Sequence, residues 1–176
     1  MTPRLISPEY AELNRQLHDD KPNYGAHASD SAESVLKICR LNGFKIVLDY
    51  GCGKGTLKPA MAALAPDISI LEFDPAIPEK ENLPVDPVDF VVALDVMEHI
   101  EPDYLDDVLS TIAALRPKAV MLMIANQPAK KTLPDGRNAH LIVEPGSWWL
   151  QRLDKYFLTI TTREDGDHFL FIGQPK

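Results

Sequence analysis

The chain has 176 residues, 45% hydrophobic and 25% charged, the balance of a soluble globular protein able to bury a sizeable core. Its formal net charge of −8 excludes a broad basic face that grips nucleic acid, though not a local basic loop. No apolar run approaches the roughly 18 residues of a membrane span. The start lacks the marks of a secretory signal, and Cys39 and Cys52 have no metal-binding spacing, so a cytoplasmic protein without a metal is expected.

Residues 1–30 are polar and broken by Pro3, Pro8 and Pro22. A short helix is expected from Pro8 to about Leu17, capped by Ser7. Val35, Leu36, Ile38 and Cys39 suit an amphipathic helix over Ser31–Leu41, closed by Asn42-Gly43. Phe44–Asp49 reads as a buried strand that ends in the glycine cluster Gly51-Cys-Gly-Lys-Gly55. Thr56 can cap a following helix to about Leu64, with Pro59 in its first turn. Ile68–Phe73 and Asp89–Leu94 read as further strands. Pro102–Leu115 is the clearest helix, its Leu105, Val108, Leu109, Ile112 and Leu115 falling at helical spacing.

Ala119–Ile124 is another strand, followed by a long segment and a helix from about Ser147 to Tyr156. The alternating runs Phe157–Thr162 and His168–Ile172, joined by Glu164-Asp-Gly-Asp167, read as a closing β-hairpin. Strands alternating with helices predict an α/β fold: a mostly parallel, Rossmann-like sheet flanked by helices, with one antiparallel strand in the closing hairpin. No repeat or linker divides the chain, so residues 1–176 are expected to form one domain.

The chemistry begins at Val47-Leu-Asp-Tyr-Gly-Cys-Gly-Lys-Gly55. Glycines after a buried strand let the chain turn sharply and bring backbone N–H groups close to a ligand. The dinucleotide fingerprint's last glycine is replaced by Thr56, and no Gly-Lys-Ser/Thr closes a phosphate loop. Asp49, two places before the first glycine, suits instead a cationic, phosphate-free ligand carrying an amino group.

On these residues the chain resembles the class I S-adenosylmethionine-dependent methyltransferases. Leu48–Gly55 is similar to that family's glycine-rich first motif, Leu71-Glu-Phe-Asp74 to the end of its second strand, and Asp89–Ile100 to its fourth strand and following turn. The resemblance implies S-adenosylmethionine as cofactor, held by Asp49, Gly51, Cys52, Gly53, Phe73, Asp74, Leu94 and Asp95. Asp74 is apt for the ribose because a carboxylate accepts two hydrogen bonds from a diol; Glu72 is the rival on the same strand face. Glu98 and His99 are read as capping and tying down the turn after Asp95. The family usually fits a helix and a strand between the second and fourth strands, but only residues 75–88 are available here. A trimmed sheet edge is therefore expected, with Glu81 or Asn82 as substitutes for the missing adenine contact.

The segment 126–146 should follow a parallel strand at the carboxyl edge of the sheet, where such folds bind ligands. It gathers Lys130, Lys131, Arg137, Asn138 and His140 in an acidic chain. Lys130, Arg137, Asn138 and the nearby Trp149 are the expected acceptor contacts, with His140 as the base that takes an acceptor proton. The alternative is a plain turn at Pro134-Asp-Gly136 with solvated charges. Of Trp148 and Trp149, one ring is expected in the core and one at the pocket edge. Residues 1–30, with Tyr10, His18, Tyr24 and His27, form the expected lid. The expected function is methyl transfer to a small molecule or glycan, with no membrane partner. The alternatives are methylation of nucleic acid or protein with a partner's help, and a cofactor-binding module without activity.

Overall fold

The computed structural model describes residues 5–20 and 28–176. Tyr24 and His27 of the expected lid lie outside the described residues, as does the side chain of His18. Helices α1 (Pro8–Asp20) and α2 (Ala32–Asn42) precede β1 (Ile46–Tyr50). There follow α3 (Leu57–Leu64), β2 (Ser69–Phe73), β3 (Phe90–Leu94), α4 (Leu105–Ala114), β4 (Ala119–Ala125), α5 (Gly146–Leu153), β5 (Phe157–Asp165) and β6 (His168–Pro175).

The strands assemble in the order β2-β1-β3-β4-β6-β5. The first four run parallel, and β6 is antiparallel to both neighbours, β4 and β5. The strand chemistry sets this arrangement. Along β3, Phe90, Val92 and Leu94 join one apolar cluster, while Val91 and Ala93 join the other. Strand β4 alternates in the same way, with Val120, Leu122 and Ile124 facing opposite to Ala119 and Met121. A strand buried on both faces needs helices on both, and α2 and α3 cover one face while α4 and α5 cover the other.

The sheet edge is trimmed as the short interval implied. Between β2 and β3 the chain forms only a single 3-10 turn, Pro78–Lys80, and β2 remains the edge strand. The helix expected from Pro102 begins instead as a 3-10 turn over Pro102–Tyr104 and becomes α-helical at Leu105. Ser7 caps α1 through its Oγ, which accepts the Tyr10 N–H at 3.1 Å. Thr56 stands before α3 without making a side-chain cap bond, because its Oγ1 receives the Ser29 N–H. Among the described residues no helix is long and apolar enough to cross a membrane.

Trp149 is not an acceptor contact. Its ring is fully buried in the cluster formed by α4, α5 and the sheet, and Trp148 lies across it edge-to-face at 5.1 Å. Trp148 does not reach the pocket either, since the Arg152 guanidinium covers its outer face. Helical geometry explains both, because α5 turns position 149 directly onto the sheet. Trp149→Ala should therefore lower the unfolding free energy by about 3–5 kcal/mol in denaturant titration. A loss below about 1 kcal/mol would contradict the core assignment.

Candidate functional site

The carboxyl ends of β1, β2, β3 and β4 open into one cleft of about 490 Å³. The chain passes from β1 outward to β2 and then back across β1 to β3, so the cleft lies where the strand order reverses. Asp49 and Tyr50, Asp74, Leu94 and Asp95, and Ala125 bring the four strand ends to its wall.

The loop after β1 is fastened to the end of β2. The N–H groups of Gly51 and Cys52 both donate to the Phe73 carbonyl, at 2.8 and 3.1 Å. The Gly53 N–H donates to Asp74 Oδ2 at 2.9 Å, and Gly55 N–H to the Cys52 carbonyl at 2.8 Å. Lys80 Nζ closes the clamp, donating to the Gly53 carbonyl at 3.2 Å and to Glu72 Oε1 at 3.0 Å. Gly51 is required on two counts: its φ is +72°, and a Cβ there would stand 2.5 Å from Val96 Cγ1. Gly51, Cys52 and Gly53 all line the cleft, with their amides bonded in this way. They are committed within the protein, so what the loop presents to the cleft is acidic.

Asp49 is 1% exposed, and its Oδ2 has no hydrogen-bond partner among the described residues. Burial, followed by the nearby Glu72, pushes its carboxyl up to about 7. Asp74 keeps capacity for a ligand even though its Oδ1 accepts the Ala76 N–H at 3.0 Å and its Oδ2 the Gly53 N–H. Two backbone donors occupy about half of the roughly four lone-pair positions of a carboxylate. Glu72, the rival for a ribose, is engaged with Lys80 and Lys58 and does not line the cleft. Cys52 does line it, with a thiol that burial pushes up to about 12 and so keeps protonated.

Glu98 and His99, read from sequence as capping groups, also line the cleft. Glu98 is fully buried, accepts the Ala125 N–H at 3.2 Å through Oε1, and is raised to about 8 by burial and then by Asp95. His99 Nδ1 lies 2.7 Å from the Ala139 carbonyl, and His140 Nδ1 lies 2.5 Å from the Gln127 carbonyl. The two rings meet edge-to-face with centroids 4.8 Å apart. His168, which no sequence motif singled out, stands between Asp95 and Asp167, at 3.1 and 2.8 Å.

The segment after β4 divides. Lys130, Lys131 and His140 line the cleft, together with Gln127, Pro128 and Ala129. Arg137 and Asn138 do not, and their expected acceptor role is corrected. Thr132 and Asn138 form a β-bridge around the turn at Pro134-Asp-Gly136. Asn138 acts as its brace, accepting the Ala129 and His140 N–H groups and donating to the Ala129 carbonyl, each at 2.9 Å. Arg137 pairs with Asp135 at 2.7 Å and lies over the Tyr10 ring. Phe73 likewise contributes its carbonyl to the glycine loop, while its ring packs on Tyr50 within the core. Glu81 and Asn82 are exposed and outside the cleft, whose wall beyond Asp74 is Pro75 and Ala76. Leu5, Ile6 and Asn14 reach the cleft from the N-terminal segment.

A family model described as a methyltransferase domain matches residues 20–169. Solved structures share the fold. The Burkholderia thailandensis 1,6-didemethyltoxoflavin-N1-methyltransferase, with bound 1,6-didemethyltoxoflavin and S-adenosylhomocysteine, has a TM-score of 0.64 at 19% identity, the match covering 100% of this chain and 93% of that one. Human N-acetylserotonin methyltransferase in complex with S-adenosylmethionine has a TM-score of 0.59 at 16% identity, covering 82% of this chain and 51% of that one. The mitomycin 7-O-methyltransferase has a TM-score of 0.59 at 14% identity, covering 92% and 60%. No curated protein is significantly similar in sequence.

The buried acids set a pH dependence. Asp49 and Glu98 ordinarily titrate near 3.8 and 4.5 but reach about 7 and about 8 in the fold, so between these limits the native state holds more protons than the unfolded chain. Stability must then fall as pH rises from about 4 to about 8 and level off above. Thermal melts of the ligand-free protein should give a lower Tm at pH 8 than at pH 6. Asp49→Asn and Glu98→Gln should each flatten that slope; an unchanged slope in both would refute the origin given.

Proposed function

The chain belongs to the methyltransferase domain family, and from that premise we propose that it methylates a small molecule held beside the histidines of the cleft, with S-adenosylmethionine as cofactor. The observation that carries the reading is Asp49: a buried carboxylate with an unpartnered oxygen, under a glycine loop whose amides are already committed. Such a site suits an ammonium group and offers little to a phosphate, which needs free N–H donors.

When bound, the cofactor supplies a methyl group on a positively charged sulfur, activated for in-line transfer. Asp49 would face its amino group and Asp74 its ribose hydroxyls, while Leu94 and Asp95 flank the space between. Leu5 and Ile6 from the N-terminal segment and Pro128 and Ala129 from residues 126–146 add apolar lining to the same cleft. We read these two segments as lid and acceptor loop of a single catalytic unit. Holding the acceptor in line makes the encounter effectively unimolecular, and this positioning supplies much of the rate. The Nδ1 nitrogen of His140 is held by the Gln127 carbonyl, so its Nε2 lone pair can receive an acceptor proton.

The proteins of like fold favour a small acceptor, since their names give a toxoflavin precursor, N-acetylserotonin and mitomycin. Lys130 and Lys131 give the acceptor end a local positive charge in a chain of net charge −8, which suits an acceptor with an anionic or hydroxyl group.

Asp49→Ala and Asp74→Ala should each weaken S-adenosylhomocysteine binding by about tenfold or more, since one or two charge-assisted hydrogen bonds are lost, with far-ultraviolet circular dichroism unchanged. Calorimetric affinities equal to wild type in both variants would end the assignment. His140→Ala should leave that affinity unchanged and lower single-turnover methyl transfer by about a hundredfold or more, the scale of a lost proton acceptor. A normal rate on an identified acceptor would remove His140 from the mechanism.

A further inference from the structure

Beside the acceptor loop, Glu98, His99 and His140 each turn one possible ligand atom to within 4.8 Å of the others. The sequence offers no warning of this, because His140 comes from the acceptor loop and the other two from the turn after β3. Both imidazoles are prepared in the same way. A carbonyl only accepts, so the Nδ1 atoms bonded to Ala139 and Gln127 carry the protons, and Nε2 holds the lone pair in each ring. That backbone-braced tautomer is the one found in metal-bound histidines. The third member supplies an independent sign, since Glu98 is fully buried and its Oε2 has no hydrogen-bond partner among the described residues. A buried carboxylate oxygen without a donor is costly unless a cation arrives to meet it.

We propose that Glu98, His99 and His140 bind one divalent first-row transition metal ion, with open coordination positions facing the cleft. Two imidazoles and one carboxylate favour manganese, iron, cobalt or zinc over calcium and magnesium, which prefer all-oxygen shells. Metal–ligand bonds of about 2.1 Å place neighbouring donor atoms roughly 3.0–3.4 Å apart, so a small inward rotation of these side chains closes the shell. The open positions would take an acceptor oxygen, which identifies the substrate class as a hydroxyl- or enol-bearing small molecule. The ion lowers the pKa of that O–H, its proton leaves to solvent, and the electron pair stays on oxygen. His140 then serves as ligand instead of proton acceptor. The role at the acceptor rests on the methyl-transfer reading, whereas ion binding stands on the geometry alone.

Chelator-treated full-length protein titrated with cobalt(II) chloride tests this through the visible absorption of the bound ion. Wild type should bind one equivalent with the intense bands of a site containing nitrogen ligands. Glu98→Gln, which preserves shape, and His140→Ala should each weaken cobalt binding at least tenfold. A parallel S-adenosylhomocysteine titration reports that each variant remains folded and keeps its cofactor site. No cobalt spectrum in wild type, or wild-type cobalt affinity in both variants, overturns the metal site. Cobalt binding without S-adenosylhomocysteine binding upholds the metal site while removing the methyl-transfer reading, so the two fail separately.

Discussion

The cleft depends on one constraint: the loop after β1 is bonded to the end of β2 through its own backbone. The Phe73 carbonyl receives two loop amides, Asp74 receives a third, and Lys80 ties the Gly53 carbonyl to Glu72. These bonds fix where Asp49 and Asp74 stand at the ends of β1 and β2. They also determine what chemistry is available there. In a phosphate-binding loop the amides point outward and the helix N-terminus adds positive potential. Here the amides bond within the protein, and the carboxylates of Asp49 and Asp74 line the cleft beside them. The same strand–loop–helix geometry therefore differs from an anion site in what its N–H groups bond to.

Electrostatics follow from that choice. Asp49, Asp74, Asp95, Glu98 and Asp167 share one cleft, and desolvation raises the two most buried of them. Charged carboxylates placed this close repel one another, so the ligand-free site holds protons that a bound cation would displace. A positively charged ligand would relieve the same repulsion in place of those protons. Lys80 pairs with Glu72 beneath the loop, His168 stands between Asp95 and Asp167, and Lys130 and Lys131 reach the cleft from residues 126–146.

Much of this was legible in the sequence where local pattern determines structure. The parallel strands are short apolar runs buried on both faces, and the glycine cluster marks the turn that follows the first of them. The interval 75–88 is too short for another helix and strand, and the sheet edge is trimmed accordingly. The acceptor side was less legible because its roles are set by contacts distant in sequence. Asn138 and Arg137 look like ligand-binding residues by type, but a bridge to Thr132 and the nearness of Tyr10 give them structural work. Trp149 differs from Trp148 only by one step of helical rotation. His168 joins the cleft because β6 lies antiparallel beside β4, which brings the start of a late strand to the same edge as the ends of the early ones.

That antiparallel insertion and the N-terminal helix together give the acceptor end its shape. Tyr10 and Leu17 of α1 pack with Leu133 of the acceptor loop in a small cluster of their own, separate from the two that cover the sheet. The Tyr10 hydroxyl also donates to the His99 carbonyl at 2.7 Å, and the Ile142 N–H to the Glu98 carbonyl at 3.0 Å. Helix α1, residues 126–146 and the turn after β3 are therefore tied to one another, while Met97 of that turn and Ile142 also sit in the cluster against the sheet. The glycine loop is thus fixed by the end of β2 at one part of the cleft, and His99 and His140 stand at another, where the N-terminal helix, residues 126–146 and the turn after β3 meet.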